Sequence, residues 1–141
     1  MKPLAVLDSS VVVSALGWEG EARRLLSLLA KRAFTSCATA ALSEEWAESV
    51  AATAALPKWR NPNWANWLRW LSEVSLLVEA SPLRRTVRRD PKDDPVLAAA
   101  LGARAGYLVS YDRDLLELEK PFGIQCVRPR AFLIALASSL P

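Results

Sequence analysis

The chain has no histidine among its 141 residues. Imidazole is the usual general base near neutral pH and the usual zinc ligand, so its absence excludes Ser-His-Asp and Cys-His catalysis. Carboxylates, Lys, Arg, Tyr, Ser or a metal ion must carry whatever chemistry occurs. Cysteine is scarce as well: Cys37 and Cys126 lie far apart with no paired spacing, which argues against a disulfide framework and against a zinc site. Both read as ordinary buried thiols. No apolar run reaches the ~20 residues that a membrane-spanning helix needs, and a single Lys followed at once by a strand-like segment is not a signal peptide. The expectation is a cytoplasmic protein with no membrane partner. Internal repeats and long linkers are also missing, so residues 1–141 are expected to form one domain.

What is present is a hydrophobic content of 52%, enough for a sizeable core, and a formal net charge of +3. A modest positive charge permits a nucleic-acid partner without establishing one. Leu4-Ala5-Val6-Leu7 is a short apolar run with an acidic stop, Asp8-Ser9-Ser10, which fits a buried parallel strand delivering Asp8 to the carboxyl edge of a sheet. A helix starting at the serine pair follows, Gly17 and Gly20 bracket a loop, and Glu21 to Lys31 shows a helical apolar face. Ala33 to Ser36 reads as a second strand. Thr39 caps a helix to about Thr53 in which Leu42, Trp46 and Val50 recur every four residues, with Glu45 beside that stripe. Asn61 and Pro62 read as the cap and first residue of a helix with Trp64, Trp67, Leu68 and Leu71 on one face. Leu76 to Val78 is strand-like.

The stretch that organises the chain is Ala98 to Leu118 with the acidic knot before it, Arg89-Asp90-Pro91-Lys92-Asp93-Asp94-Pro95. It reads as an acidic turn, an alanine-rich helix, a stop at Gly106, and a buried strand Tyr107 to Ser110 running into Asp112. Asp114 caps a short turn over Leu115 to Leu118, Ile124 to Val127 is a last strand, and Pro129 to about Ala137 a final helix. Strands alternating with helices of this length predict an α/β fold, a doubly wound and mainly parallel sheet of about five strands with helices on both faces. In such sheets ligands sit beyond the carboxyl ends of the strands at the topological switch point. Asp8 and Asp112 follow strands, while Asp93 and Glu45 belong to helices able to cover the crevice. Taken singly, Asp8 and Asp112 read equally well as helix caps, and Asp90, Asp93 and Asp94 as a solvated turn with Asp94 capping before Pro95. As a set they point to a cation, because four carboxylates in one crevice repel one another unless something neutralises them.

These residues carry a resemblance. Val6-Leu7-Asp8-Ser9-Ser10, Glu45 early in the third helix, Arg89-Asp90-Pro91-Lys92-Asp93-Asp94 with its small-residue helix, and Leu108-Val109-Ser110-Tyr111-Asp112-Arg113-Asp114 resemble the PIN-domain ribonucleases. Within them, the chain looks like the VapC-like toxin components of toxin-antitoxin pairs, including the Pro129-Arg130-Ala131-Phe132-Leu133 ending. The resemblance implies a metal-dependent ribonuclease with Mg²⁺ or Mn²⁺ as cofactor and Asp8, Glu45, Asp93 and Asp112 as catalytic and metal-binding acids. Glu44 is the alternative to Glu45, and Asp90, Asp94 and Asp114 are candidates for support. Ser10 stands where many members carry Asn. Implied partners are RNA as substrate, an antitoxin protein and a second copy of the chain in a homodimer. Trp59 and Trp70, among Lys58, Arg60 and Arg69, are candidates for stacking on RNA or touching a partner, whereas the Trp64 and Trp67 face reads as core or dimer contact. Arg84, Arg85, Arg88 and Arg89 read as a solvated segment, a phosphate track or a landing site for an acidic partner. A non-catalytic RNA-binding module of the same fold is one rival. A phosphoacceptor receiver domain is another, disfavoured because Arg128-Pro129 follows the last strand where a Lys is required.

Overall fold

The structure, a computed structural model, describes residues 2–81, 94–118 and 120–139. Its centre is β1 (Leu4–Leu7), whose Ala5, Val6 and Leu7 are almost wholly removed from solvent. A strand apolar on both faces must be covered on both, and β1 lies in the middle of a five-stranded parallel sheet. The strand order is β3 (Leu76–Leu77), β2 (Thr35–Ala38), β1, β4 (Tyr107–Val109), β5 (Gln125–Val127). This is the doubly wound α/β architecture. The chain steps one way from β1 to β3 and the other way from β4 to β5, so the switch point falls between β1 and β4. In that pair Ala5 faces Tyr107, Val6 faces Leu108 and Leu7 faces Val109. The two carboxyl ends therefore finish level, one delivering Asp8 and the other Ser110.

Helices α1 (Ser9–Gly17), α2 (Glu21–Ala30), α3 (Ala40–Ala54), α4 (Trp64–Val74), α5 (Asp94–Ala103), α6 (Arg113–Glu117) and α7 (Pro129–Ser139) make the connections and the closing segment. In α3 the buried residues are Leu42, Trp46 and Val50, the stripe that its four-residue spacing demands. Thr39 caps it, its hydroxyl oxygen accepting from the Leu42 amide at 3.1 Å. Trp46 is fully buried, and its indole N–H donates to the Leu7 carbonyl at 2.9 Å. The core runs continuously from the α1–α3 packing through the sheet to Phe132 and Leu136 of α7, which packs against α2.

Several local expectations are corrected. The helix expected from Asn61 begins at Trp64, because Asn61 is buried and engaged elsewhere: its amide donates to the Leu16 carbonyl at 2.9 Å and its Oδ1 accepts from the Asn63 amide at 2.9 Å. The stop expected at Gly106 is made by Arg104 in the left-handed region (φ 54°), with the Ala105 amide closing on the Ala100 carbonyl at 2.9 Å. Strand β2 lies two residues later than expected, since Arg32 (φ 62°) ends α2 in the same manner. Asp112, not Asp114, caps α6. Trp59, a candidate for stacking on RNA or touching a partner, is partly buried: its ring packs edge-on against Trp18 (centroids 5.4 Å apart), a Cβ at Gly17 would fall 2.6 Å from it, and its N–H donates to the Asn61 carbonyl at 2.7 Å. Trp67 packs partly on the core beneath the Arg23 guanidinium, which lies 4.8 Å from its ring centroid while donating to the Ala15 and Leu16 carbonyls. No described helix is long and apolar enough to cross a membrane.

Both cysteines are buried and neither is in a disulfide, and burial pushes the Cys37 thiol above its ordinary pKa because the thiolate would be formed away from water. A raised folded-state value stabilises the fold below the unfolded-state value, and that contribution is lost as pH rises through the folded-state value. Native protein at pH 8 is expected to react with a thiol-specific disulfide reagent at Cys37 only as fast as it unfolds. Rapid labelling of Cys37 in native protein would contradict this burial.

Candidate active site at the carboxyl edge of the sheet

The site is built around Asp8. Its backbone occupies the N-cap position of α1 (φ −68°, ψ 154°), yet its side chain makes no capping bond. The carboxylate, only 7% exposed, instead receives two hydroxyls on one oxygen: Ser10 Oγ donates to Oδ2 at 2.8 Å and Ser110 Oγ at 2.7 Å. Both serines are in turn acceptors. The Tyr111 amide donates to Ser10 Oγ at 3.1 Å, and the Asp112 amide to Ser110 Oγ at 2.8 Å. A hydroxyl has one hydrogen, so two amide–hydroxyl relays converge on Asp8 Oδ2. Among the described residues, Oδ1 accepts no hydrogen bond, and no Lys or Arg lies within ion-pair distance of Asp8 or Glu45.

Glu45, half-buried on α3, reaches the same region: Ser9 Oγ donates to its Oε2 at 2.9 Å. Glu44, one residue earlier on the helix, is exposed. Ser9 and Ser10 thus serve different acids from successive positions of the first turn of α1. Asp112 leaves β4 beyond Ser110, and its Oδ1 accepts from the Asp114 amide at 2.9 Å, so this carboxylate does cap the short helix it precedes. The structure therefore brings Asp8, Glu45 and Asp112 to one edge, where Ser9 bonds Glu45, Ser10 and Ser110 bond Asp8, and the Asp112 amide bonds Ser110. Asp93 and Asp90 lie outside the described residues, as do the side chain of Asp94 and Arg84, Arg85, Arg88 and Arg89. Among the described residues, no three acids or thiols are grouped closely enough to hold a metal ion.

Sequence reasoning missed Ser110 and Ser9 as site residues. The available signal was a hydroxyl residue close behind each of the two strands that flank the switch point, Ser110 directly after β4 and Ser9 two positions after β1. Ser10, set apart as a departure from Asn, makes one of the two bonds to Asp8.

A parallel sheet with carboxylates and hydroxyls meeting at its switch point defines the class: an α/β protein with an acidic site where doubly wound folds bind ligands. The model of the PIN domain family matches residues 5–114, and the chain belongs to that family. The crystal structure of PAE2754 from Pyrobaculum aerophilum is similar over 97% of this chain and 91% of that one, with a TM-score of 0.63 and 18% identity, a likeness of fold. No curated protein sequence matches the chain. PIN domains are typically nucleases, and those nucleases generally use divalent metal ions.

The serine relays predict an asymmetric response to mutation. Ser110→Ala removes a donor from Asp8 and an acceptor from the Asp112 amide at a fully buried position, at a cost of about 1–3 kcal/mol in denaturant unfolding. Ser9→Ala, at a half-exposed position, is expected to cost less than about 1 kcal/mol. Equal stability of Ser110→Ala and wild type would show that these bonds do not hold the strand ends together.

Proposed function

We propose that the protein is a metal-dependent endoribonuclease that hydrolyses RNA phosphodiester bonds at the carboxyl edge of its sheet. The observation that carries this reading is Asp8: a buried carboxylate with two donors on one oxygen and, among the described residues, none on the other. Burying a carboxylate oxygen without a partner is costly, and a cation is the partner that an acid-lined crevice can recruit. The donor set fits Mg²⁺ or Mn²⁺, hard ions that take oxygen ligands and are commonly held by one or two carboxylates with water completing the shell. Asp8 and Asp112 would hold the ion directly, together with Asp93 as the sequence resemblance implies, and Glu45 would bind the ion or its water. Bound there, such an ion lowers the pKa of water and neutralises charge on the phosphodiester oxygens, so no imidazole is required.

The chain's own part is placement. Ser10 and Ser110 lock the Asp8 side chain by directing both hydroxyl protons to Oδ2, which leaves Oδ1 as the oxygen that would face the ion. Ser9 holds Glu45 over the same edge. The Asp114 amide orients the Asp112 carboxylate through Oδ1. We further read the chain as the toxin of a toxin-antitoxin pair, on the strength of its motifs and its Pro129-Arg130-Ala131-Phe132-Leu133 segment.

Purified protein incubated with mixed structured and unstructured RNA is expected to cut in Mg²⁺ or Mn²⁺ and to be silent in chelator. Asp8→Asn, Asp93→Asn and Asp112→Asn should each lower the rate at least about 100-fold with unchanged circular dichroism, since loss of a ligand exceeds the loss of a supporting group. Millimolar Mn²⁺ should raise the melting temperature of wild type more than that of Asp93→Asn, because an ion that binds only the folded state stabilises it by mass action. Cleavage that persists in chelator would overturn the metal mechanism. Absence of RNA cleavage in every ion, with RNA binding intact, would favour the non-catalytic RNA-binding reading.

A further inference from the structure

A second feature lies beside the acids on the same edge of the sheet. Between α6 and the start of α7 there is a recess of about 540 Å³ lined by Arg113, Glu117, Cys126, Arg128 and Ala131 among others. Topology places it next to the site. Arg113 directly follows Asp112, and Arg128 directly follows Val127, whose carbonyl accepts the Ser110 amide at 2.9 Å. Ser110 is the residue whose hydroxyl donates to Asp8. Passing along the row of strand ends from β1 to β4 to β5, one meets Asp8, then Ser110 and Asp112, then the two arginines.

The charge balance of the recess favours an anion. Among the described residues, no carboxylate lies within ion-pair distance of Arg128. Arg113 meets Glu117 at 3.5 Å, but the two side chains are 88% and 64% exposed, and such a surface pair contributes little. Two guanidiniums against one carboxylate leave one net positive charge, and the positive end of the α7 dipole starts at Pro129, adding to it. The wider recess at the amino edge, about 690 Å³ with Lys2, Arg32 and Trp70 in its lining, has the opposite setting. It abuts the C-terminal ends of α2 and α4, where the dipoles are negative, and it lies across the sheet from the acids. Trp70, a candidate for contact with RNA or a partner, lines this amino-edge recess.

We propose that the α6–α7 recess is a backbone subsite that holds a phosphate of the RNA strand neighbouring the one cut at the acids, with Arg113 and Arg128 as its binding residues and Glu117 as an opposing carboxylate. This rests on the ribonuclease reading above. The guanidinium fork matches two phosphate oxygens at once, whereas the Arg113–Glu117 pair is exposed and readily exchanged for a doubly contacted anion. Glu117 therefore lowers affinity, and its removal should tighten binding.

The test uses the full chain and a fluorescent single-stranded RNA, with binding measured in chelator across a salt series and cleavage measured in Mn²⁺. Arg113→Gln with Arg128→Gln is expected to weaken binding about tenfold and to make the slope of log affinity against log salt shallower by about 1.4, two phosphate contacts on a single strand. KM should rise by a larger factor than kcat falls. Glu117→Gln should bind RNA more tightly than wild type. Lys2→Gln with Arg104→Gln removes the same charge at the amino edge and should leave the slope as it is. An unchanged slope in the first double variant, an equal loss in the second, or weaker binding by Glu117→Gln overturns the subsite. If wild type cleaves and the salt series is flat, the subsite alone fails. If wild type cleaves nothing while the series behaves as expected, the ribonuclease reading fails and the recess stands as a phosphate site.

Discussion

A carboxylate at the end of a fully buried central strand is the constraint around which this molecule is arranged. Asp8 cannot be left without donors where the core ends, and the backbone amides of the helix it precedes do not supply them to its side chain. The donors come from two places, Ser10 in the first turn of α1 and Ser110 just past the end of β4, and the second is reachable only because β4 pairs directly with β1 in register. Each serine takes a backbone amide on its oxygen and so has its proton left for Asp8. The result holds two chain segments, residues 8–10 and 110–112, at one point and concentrates the unmatched acceptor capacity on one oxygen.

Helix α3 secures the same strand end from the other side. Trp46 anchors it to the Leu7 carbonyl at zero exposure, and this fixes the adjacent Glu45 over Ser9. A structural contact and a candidate functional one are thus neighbours on one helix, separated by a 100° turn that sends one inward and the other to the rim. The site depends on the core in a literal sense: loosening Trp46 would move Glu45.

Charge is distributed along the sheet with the same economy. Acids gather where β1 and β4 end, arginines where α6 begins and β5 ends, and the first turns of α1 and α7 add their positive ends to that edge. An anionic polymer meeting this edge would find cations beside the acids, and a cation bound among the acids would remove the repulsion between them and a phosphate. The fold supplies this juxtaposition through strand order alone, since Arg113 and Arg128 are fifteen positions apart in sequence.

The alternation of apolar strands with four-residue helical stripes was enough to read the α/β class, the parallel sheet and the positions of Asp8, Glu45 and Asp112 near strand ends or helix starts, because burial on both faces leaves a continuous apolar run. Membership in the PIN-domain family was legible in the acidic motifs for the same reason: ligand chemistry requires particular residues at particular places. Sequence did not separate the two meanings of an aspartate after a strand. Asp8 and Asp112 look alike in one dimension, yet one makes no cap and the other does, and only the register of β1 against β4 brings Ser110 to Asp8. Nor could it show that Asn61 would be spent on the Leu16 carbonyl, that Trp59 would lie against Gly17, or that Arg104 would take the left-handed turn expected of Gly106. Local patterns report which residues are buried; which distant partner satisfies a buried polar group is decided only when the segments meet.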